Sequence, residues 1–333
     1  MFLRKKRKVD RTAAALTGGH RLEYETRVNR VIDHIRGHLA DELSLSALAR
    51  VAAFSPFHFH RVFRAITGET LFGFIHRLRI EKAAGALLNH PDQSVLEIAL
   101  DHGFASAATF ARAFKLRFGM SATEWRGGGA ARWRARHRPE RNVAERNPGK
   151  QLRKAGKARG RARPHSGGRR TEERSMSVEV RALPPYHVAY MRYVGPYGAH
   201  GIPELWTRFD KWMETRGLRP EARVTLGVGY DDPRITAAEK CRYDACVVVP
   251  AAFLPDRRVN VMDLPGGPCA VATFTGTADE ITDAWDHVFA AWLPASAWQP
   301  DDRPCVEVYR GRAMVDVKAG VFRCELCLPV RPL

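Results

Sequence analysis

A short internal duplication in the first half constrains this chain more than any other feature. The segment FSPFHFHRVFRAITG, residues 54–68, returns in altered form as FASAATFARAFKLRFG, residues 104–119. Each copy has a serine before a helical run, apolar residues at helical spacing and a glycine near its end. A shorter helix precedes each copy, since Leu48 corresponds to Ile98. The duplication therefore predicts two helix-turn-helix units in one polypeptide.

The surrounding sequence predicts an all-α domain over residues 21–126. Residues 71–88 form a long helix that separates the two units, and Ser44 or Ser46 begins the helix before the first copy. The second helix of each unit buries an apolar face made of Phe59, Val62, Phe63 and Ile66, and of Phe110, Ala113, Phe114 and Phe118. Its other face is polar and basic, which suits insertion into the major groove of DNA.

Two such units separated by a rigid helix could enter adjacent major grooves about 34 Å apart. A plain helical bundle with basic surface helices is the alternative that the pattern leaves open.

Both copies resemble the AraC/XylS family of transcription regulators, through GFASAATFARAFKLRFGMSATEWR and FSPFHFHRVFRAITGETLFGFI. The resemblance covers residues 24–126 and implies promoter binding as a monomer or weak dimer, with RNA polymerase as a further partner. It implies DNA contacts from these two helices, and the residues we assign to them are Phe57, His58, His60, Arg61, Arg64, Ala107, Ala108, Thr109, Arg112 and Lys115. Since the two alanines have no hydrogen-bonding side chain, we expect the second helix to read bases mainly through its arginine.

Charge is unevenly distributed along the chain, whose net charge is +18. Residues 127–176 carry 16 Lys/Arg against 4 Asp/Glu and are rich in glycine, which predicts a flexible basic linker. Residues 1–20 are expected to be a disordered basic tail, in which LRKKRKV resembles a nuclear import signal. No apolar run reaches membrane-spanning length, so we expect a cytoplasmic protein.

The second half, residues 177–333, predicts an α+β domain with an antiparallel sheet built from two pseudo-symmetric halves. Strand-like segments flank two aromatic helices, over 206–216 and 279–293, and Trp206 corresponds to Trp285. The fold expected for the whole chain is therefore multidomain, an all-α domain followed by an α+β domain. The cleft between the two halves is the expected ligand site.

A carboxylate beside a tyrosine marks the candidate ligand site. In PCVEVYRGR, residues 304–312, alternation places Glu307 and Tyr309 on the face opposite Val306 and Val308. An acid beside an aromatic ring suits a cationic, partly aromatic ligand. A solvent-facing glutamate with an ordinary surface tyrosine is the alternative.

The repeat in this half, which begins with LPPYHVAYMRYVGPY and ends with FRCELCLPV, resembles the GyrI-like effector-binding domain over residues 176–330. The resemblance implies a small, hydrophobic or cationic effector bound around a buried glutamate, which we match to Glu307. Candidate wall residues are Tyr193, Trp206, Tyr230 and Trp285, although core packing would also account for them, and Glu325 is a second candidate acid.

The sequence therefore predicts a DNA-binding transcription regulator with a C-terminal effector site, and not an enzyme. We expect no cofactor and no metal. Cys324 and Cys327 lie three apart in a predicted strand, point to opposite faces and are badly placed to chelate one ion. Two alternatives stay open for the C-terminal domain: a hydrolase of strained electrophiles with Glu307 as general base, and a protein-interaction module.

Overall fold

A computed structural model describes residues 18–137, 176–198, 201–218, 223–311, 314–316 and 318–333. Most of the predicted basic tail, residues 1–17, and most of the predicted linker, residues 138–175, lie outside the described residues. The described part has a helical N-terminal domain and an α+β C-terminal domain, as the sequence predicts.

The N-terminal domain is built from short helices around one long one. The helices are α1 (Gly18–Gly37), α2 (Leu45–Val51), α3 (Pro56–Thr67), α4 (Leu71–Asn89), α5 (Val95–Asp101), α6 (Ala107–Phe118), α7 (Ala122–Glu124) and α8 (Ala130–Arg136). Ser55 caps α3 and Ser106 caps α6, each accepting a backbone hydrogen bond with its side chain. Both helices end at a glycine with a left-handed backbone, Gly68 and Gly119. The duplicated sequence thus folds into duplicated structure.

Two apolar cores lie on either side of the long helix α4. Phe59 and Phe63 of α3 are buried in the first core with residues of α1 and α2. Phe110 and Phe114 of α6 are buried in the second core together with Trp125. Because α4 contributes to both cores, it holds the two helix-turn-helix units in one fixed arrangement.

Helical packing continues past residue 126, where the sequence analysis places the start of the linker. A kink in Trp125–Gly129, where Gly128 has a φ of 97°, leads directly into α8. Trp133 of α8 is buried in the second core and its ring contacts Phe118 and Trp125. Burial of this large aromatic side chain outweighs the basic, glycine-rich composition of the segment.

The C-terminal domain contains ten described strands in one antiparallel arrangement. These are β1 (Val178–Leu183), β2 (Tyr186–Val194), β3 (Val224–Gly229), β4 (Arg242–Val248), β5 (Asn260–Leu264), β6 (Gly267–Gly276), β7 (Trp298–Pro300), β8 (Cys305–Arg310), β9 (Met314–Asp316) and β10 (Val321–Pro332). Eight follow the order β1-β6-β10-β8-β3-β4-β2-β5, while β7 and β9 pair with β10.

The strand order shows the two halves that the repeat predicts. The first half holds β1 to β4 and helix α9 (Ile202–Thr215), and the second holds the remaining strands and helix α10 (Ile281–His287). The halves meet where β3 pairs with β8, at the middle of the sheet. They also exchange their first strands, since β1 pairs with β6 and β5 pairs with β2.

One face of this sheet is covered by α9 and α10, and we call it the helix face. Side chains alternate between this face and the other, so Cys324 packs under the helices while Cys327 packs in the opposite core. The sequence analysis predicts this separation of the CxxC pair. All six cysteines are free thiols.

The other face of the sheet packs against the N-terminal domain, and we call it the docking face. Arg192 of β2 contacts Asp33 of α1 with Nη2 to Oδ1 at 2.8 Å, and the hydroxyl of Tyr190 donates to the same carboxylate. The guanidinium of Arg36 lies 3.7 Å from the ring centroid of Tyr230. The two domains therefore share an interface with charged and cation–π contacts.

Candidate DNA-binding and ligand-binding sites

Helices α3 and α6 present their polar faces to solvent. Phe57 at the start of α3 is 71% exposed, and His58, Arg61 and Arg64 are exposed beside it, with His60 half-buried. The corresponding residues of α6 are all exposed, namely Ala107, Ala108, Thr109, Arg112 and Lys115. The predicted recognition faces are therefore open in this conformation, because the C-terminal domain docks elsewhere on the N-terminal domain.

The cations on these faces differ from those inside the N-terminal domain. Arg77, for example, pairs with both Glu69 and Glu81, at 2.8 and 3.0 Å. Among the described residues, Arg61 and Arg112 have no carboxylate within ion-pair distance. Arg61 instead lies 5.8 Å from the ring centroid of Phe57. Such unpaired, exposed guanidinium groups are available to bond phosphates or base edges.

The candidate ligand site lies on the helix face, where the two halves of the C-terminal domain meet. Glu307 of β8 accepts hydrogen bonds at Oε2 from the hydroxyls of Tyr243 and Tyr309, at 2.7 and 2.9 Å. Its Oε1 accepts a bond from Nε1 of Trp285 at 3.3 Å. Trp206 donates to the Tyr243 hydroxyl at 3.3 Å and packs edge-on against the Tyr309 ring. The acid thus lies among four aromatic side chains drawn from both halves.

Both tyrosines in this cluster remain protonated at neutral pH. Burial, together with the negative charge of Glu307, raises the pKa of Tyr243 and of Tyr309 well above the usual value. Each hydroxyl therefore acts as a hydrogen-bond donor to the carboxylate and not as a base.

Two residues that the sequence analysis did not select complete the site. Tyr243 of β4 contacts Glu307 directly. In the repeat Tyr243 corresponds to Phe322, and this aromatic match was the sequence signal that could have identified it. Gly227 faces Glu307 across the β3–β8 pair. A Cβ atom at Gly227 would lie 1.9 Å from the Tyr243 hydroxyl and 2.6 Å from Oε2 of Glu307. A glycine inside a strand often marks such a close approach, and here it was the second overlooked signal.

Of the other two predicted wall residues, one borders this cluster and one lies on the opposite face. Tyr193 is on the helix face opposite Tyr243 in register, and its ring lies against Gly195 and Gly201. Tyr230 is on the docking face, where its hydroxyl donates to Asp244 at 2.7 Å, so its assignment to the ligand wall is wrong.

The second candidate acid, Glu325, is also misassigned. Its carboxylate pairs with Arg181 at 2.5 Å and with Arg310 at 3.3 Å, which neutralises it away from the aromatic cluster.

No group of histidine, cysteine and acidic residues suited to a metal ion occurs in the part of the chain that the structure describes. None of its helices is long and apolar enough to cross a bilayer.

Two family descriptions match the chain and divide it as the fold does. A helix-turn-helix domain matches residues 48–128, and a GyrI-like small molecule binding domain matches residues 176–331. The boundary between the two matches falls between the two structural domains.

Named relatives each match part of the chain. A prophage-derived transcriptional regulator of Bacillus subtilis, YosT, is 32% identical over 156 residues, which is 47% of this chain and 100% of that protein. A DNA gyrase inhibitor of Escherichia coli is 30% identical over 160 residues, 47% of this chain and 98% of that protein. The HTH-type transcriptional regulator YbfP of Bacillus subtilis is 37% identical over 97 residues, 29% of this chain and 32% of that protein.

The open recognition helices and the family matches define a DNA-binding transcriptional regulator with a small-molecule-binding domain. The chain carries a helix-turn-helix domain of the AraC type followed by a GyrI-like small molecule binding domain.

Proposed function

We propose that this regulator binds promoter DNA through α3 and α6 and that its C-terminal site takes a small hydrophobic cation. One observation supports the choice of a cationic ligand. Glu307 accepts hydrogen bonds from neutral donors, and among the described residues no lysine or arginine pairs with it. A half-buried carboxylate without a cation is unfavourable, and aromatic rings attract cations. A cationic ligand would supply the missing positive charge.

Charge selectivity of the site tests this proposal. Benzyltrimethylammonium and its neutral isostere neopentylbenzene have nearly the same shape, so only the cation should raise the Tm of the full-length protein. We expect the shift to follow ligand concentration, and Glu307→Gln to abolish it while the Tm without ligand stays close to that of wild type.

Glu325→Gln provides the matched control, because it removes one negative charge from the same sheet at an ion-paired position. This variant should keep the full response to the cation. Equal shifts with both probes, or a response that survives Glu307→Gln, would refute a cation site at Glu307.

On the DNA side, we propose that α3 and α6 occupy successive major grooves of one promoter. Arg61 and Arg112 are the expected base-reading residues, with Lys115 and Arg64 on the phosphates. We propose further that the chain acts as a monomer or weak dimer and that RNA polymerase is its partner at the promoter.

Arg61→Ala should reduce discrimination between target and random DNA by about 1–3 kcal/mol. The measurement is competition binding at fixed physiological salt, with Lys115→Ala as the control for a phosphate contact. Lys115→Ala should weaken binding to every sequence alike and lower the salt dependence. A uniform loss in Arg61→Ala would show that Arg61 contacts only phosphate.

We infer that the effector is bound and not transformed, as the names of the transcriptional regulator relatives suggest. The groups around Glu307 favour this choice. Burial raises the pKa of the nearby Cys305 thiol to about 12, which leaves it protonated and a poor nucleophile. Turnover of any probe that also raises the Tm would instead support the hydrolase.

A protein-interaction role for the C-terminal domain is the second candidate, because two relatives of which this chain covers 98% are named DNA gyrase inhibitors. Under that alternative the cation would leave the Tm unchanged, and a direct binding assay with purified gyrase would give a complex.

A further inference from the structure

The C-terminal domain docks on both helix-turn-helix units at once. Within the loop between β3 and β4, residues 231–241 contact both units, and we call them the docking segment. Its Lys240 pairs with Glu69 beside the first unit at 3.1 Å. Its Asp232 pairs with Arg134 beside the second unit at 3.2 Å, and the Ile235 carbonyl accepts a bond from Arg117 at 3.0 Å. The docked domain is therefore a brace across the two units.

Among the described residues, polar contacts dominate this interface, and Ile235 is the apolar exception. Thr236 donates to Glu81 of α4 at 3.0 Å, and the Lys82 ammonium donates to the Tyr230 carbonyl at 3.1 Å. Ile235 alone is buried inside the core of the second unit. An interface that water and ions can re-solvate is typical of domains that separate reversibly.

The docking contacts and the ligand site are connected by adjacent residues of β4. Tyr243 points to the helix face and donates to Glu307, while Asp244 points to the docking face. Asp244 holds Arg192 through two bonds, from Nε at 2.8 Å and from Nη2 at 2.7 Å. The same Nη2 reaches Asp33 of α1 at 2.8 Å. One guanidinium nitrogen thus bridges the two domains, one residue away from the ligand site.

This bridge is sensitive to small displacements of β4. Nη2 lies between two carboxylates, so a shift of Asp244 lengthens its contact with one of them. The Arg192 side chain is 1% exposed and that of Asp244 is 0% exposed, so this buried pair stays together. The contact that lengthens is the one between Arg192 and the more exposed Asp33. Separation leaves no unpaired carboxylate inside the sheet, because Arg192 still neutralises Asp244.

We propose that the docking interface transmits ligand occupancy to the DNA-binding units. A cation at Glu307 displaces the Tyr243 hydroxyl, Asp244 moves with β4, and the hold of Arg192 on Asp33 loosens. The brace across the two units then relaxes and no longer reinforces the arrangement of α3 and α6 that α4 sets. This inference rests on the proposed cation site for its trigger, while the route through β4 is independent of it.

A ligand-free experiment tests the route. In the full-length protein, hydrogen exchange of the docking segment is measured for wild type, Tyr243→Phe, Asp33→Asn and the double variant. We expect each single variant to raise exchange at Ile235 and Thr236 by about threefold or more, and the double variant to give less than the product of the two effects. Glu25→Gln removes a charge from the same helix at a position that pairs with Arg21, and it should leave exchange unchanged.

Independent, multiplicative effects, or no effect of Tyr243→Phe on the docking segment, would overturn the route. Benzyltrimethylammonium then tests the trigger. If the probe raises hydrogen exchange of the docking segment in wild type but not in Glu307→Gln, the trigger is supported. If the probe raises the Tm of wild type while exchange stays unchanged, the trigger is overturned. If the probe does not bind at all, the cation site is refuted, while the ligand-free variants still decide whether β4 connects the two faces.

Discussion

The two faces of the C-terminal sheet differ in whether their carboxylates have cationic partners. On the docking face two buried carboxylates have guanidinium partners, Asp244 with Arg192 and Asp231 with Arg242. On the helix face the donors to Glu307 among the described residues are two tyrosines and a tryptophan. A paired charge supports the folded structure, whereas an acid left unpaired among aromatic rings is what the proposed cation site requires. The difference separates the face that contacts the N-terminal domain from the face that holds the proposed ligand site.

The largest expected effect comes from breaking a pair on the docking face. Arg192→Met leaves Asp244 buried without a cation, so the free energy of unfolding should fall by about 3–5 kcal/mol. Urea unfolding of the full-length protein measures this loss. Arg310→Met removes an exposed cation from the same sheet and should change the value by less than about 1 kcal/mol. Equal losses in both variants would erase the distinction between the faces.

A smaller effect should appear in the pH dependence of the second docking-face pair. The Arg242 guanidinium lowers the pKa of Asp231 from 3.8 to about 2, against the opposing effect of burial. Because the folded pKa is the lower one, this stabilisation is fully present above pH 4 and is lost as pH falls through about 2. It amounts to about 2 kcal/mol.

Unfolding of wild type and Asp231→Asn across that pH range isolates the contribution of this carboxylate. The gap between the two variants should narrow by about 2 kcal/mol from pH 5 to pH 2. A gap that stays constant would mean that Asp231 titrates alike in the folded and unfolded chains.

The smallest effect on stability is expected at Glu307. In Glu307→Gln the amide oxygen still accepts hydrogen bonds from Tyr243 and Tyr309. The substitution also removes an unpaired charge, so the free energy of unfolding should change by less than about 1 kcal/mol. Urea unfolding without ligand measures it. A loss as large as that of Arg192→Met would show that Glu307 is a structural residue and would weaken the contrast between the faces.

The sequence allowed much of this molecule to be predicted, for physical reasons that individual residues show. Serine caps, glycine ends and aromatic spacing are local signals, so the helices of both units could be placed from them. Alternation in β8 correctly placed Glu307 and Tyr309 on the face opposite Val308. The repeat predicted two halves because a duplicated sequence preserves its own core positions.

Long-range pairing explains what could not be predicted. Tyr230 is an aromatic residue at the end of a strand, and only the sheet register shows that it faces the N-terminal domain and not the ligand site. Trp133 lies in a basic, glycine-rich segment, and its burial depends on a core formed by distant helices. The docking segment carries no recognisable motif, since its contacts depend on how two domains meet.

Ile235 has a practical consequence for work with separated parts of this regulator. Its side chain fills space among residues of the second helix-turn-helix unit, although it belongs to the other domain. A fragment ending near residue 137 would expose that apolar surface to water, so such a truncation is a poor stand-in for the intact regulator. A chimaera that joins this N-terminal domain to the C-terminal domain of a relative should keep the docking segment of this chain.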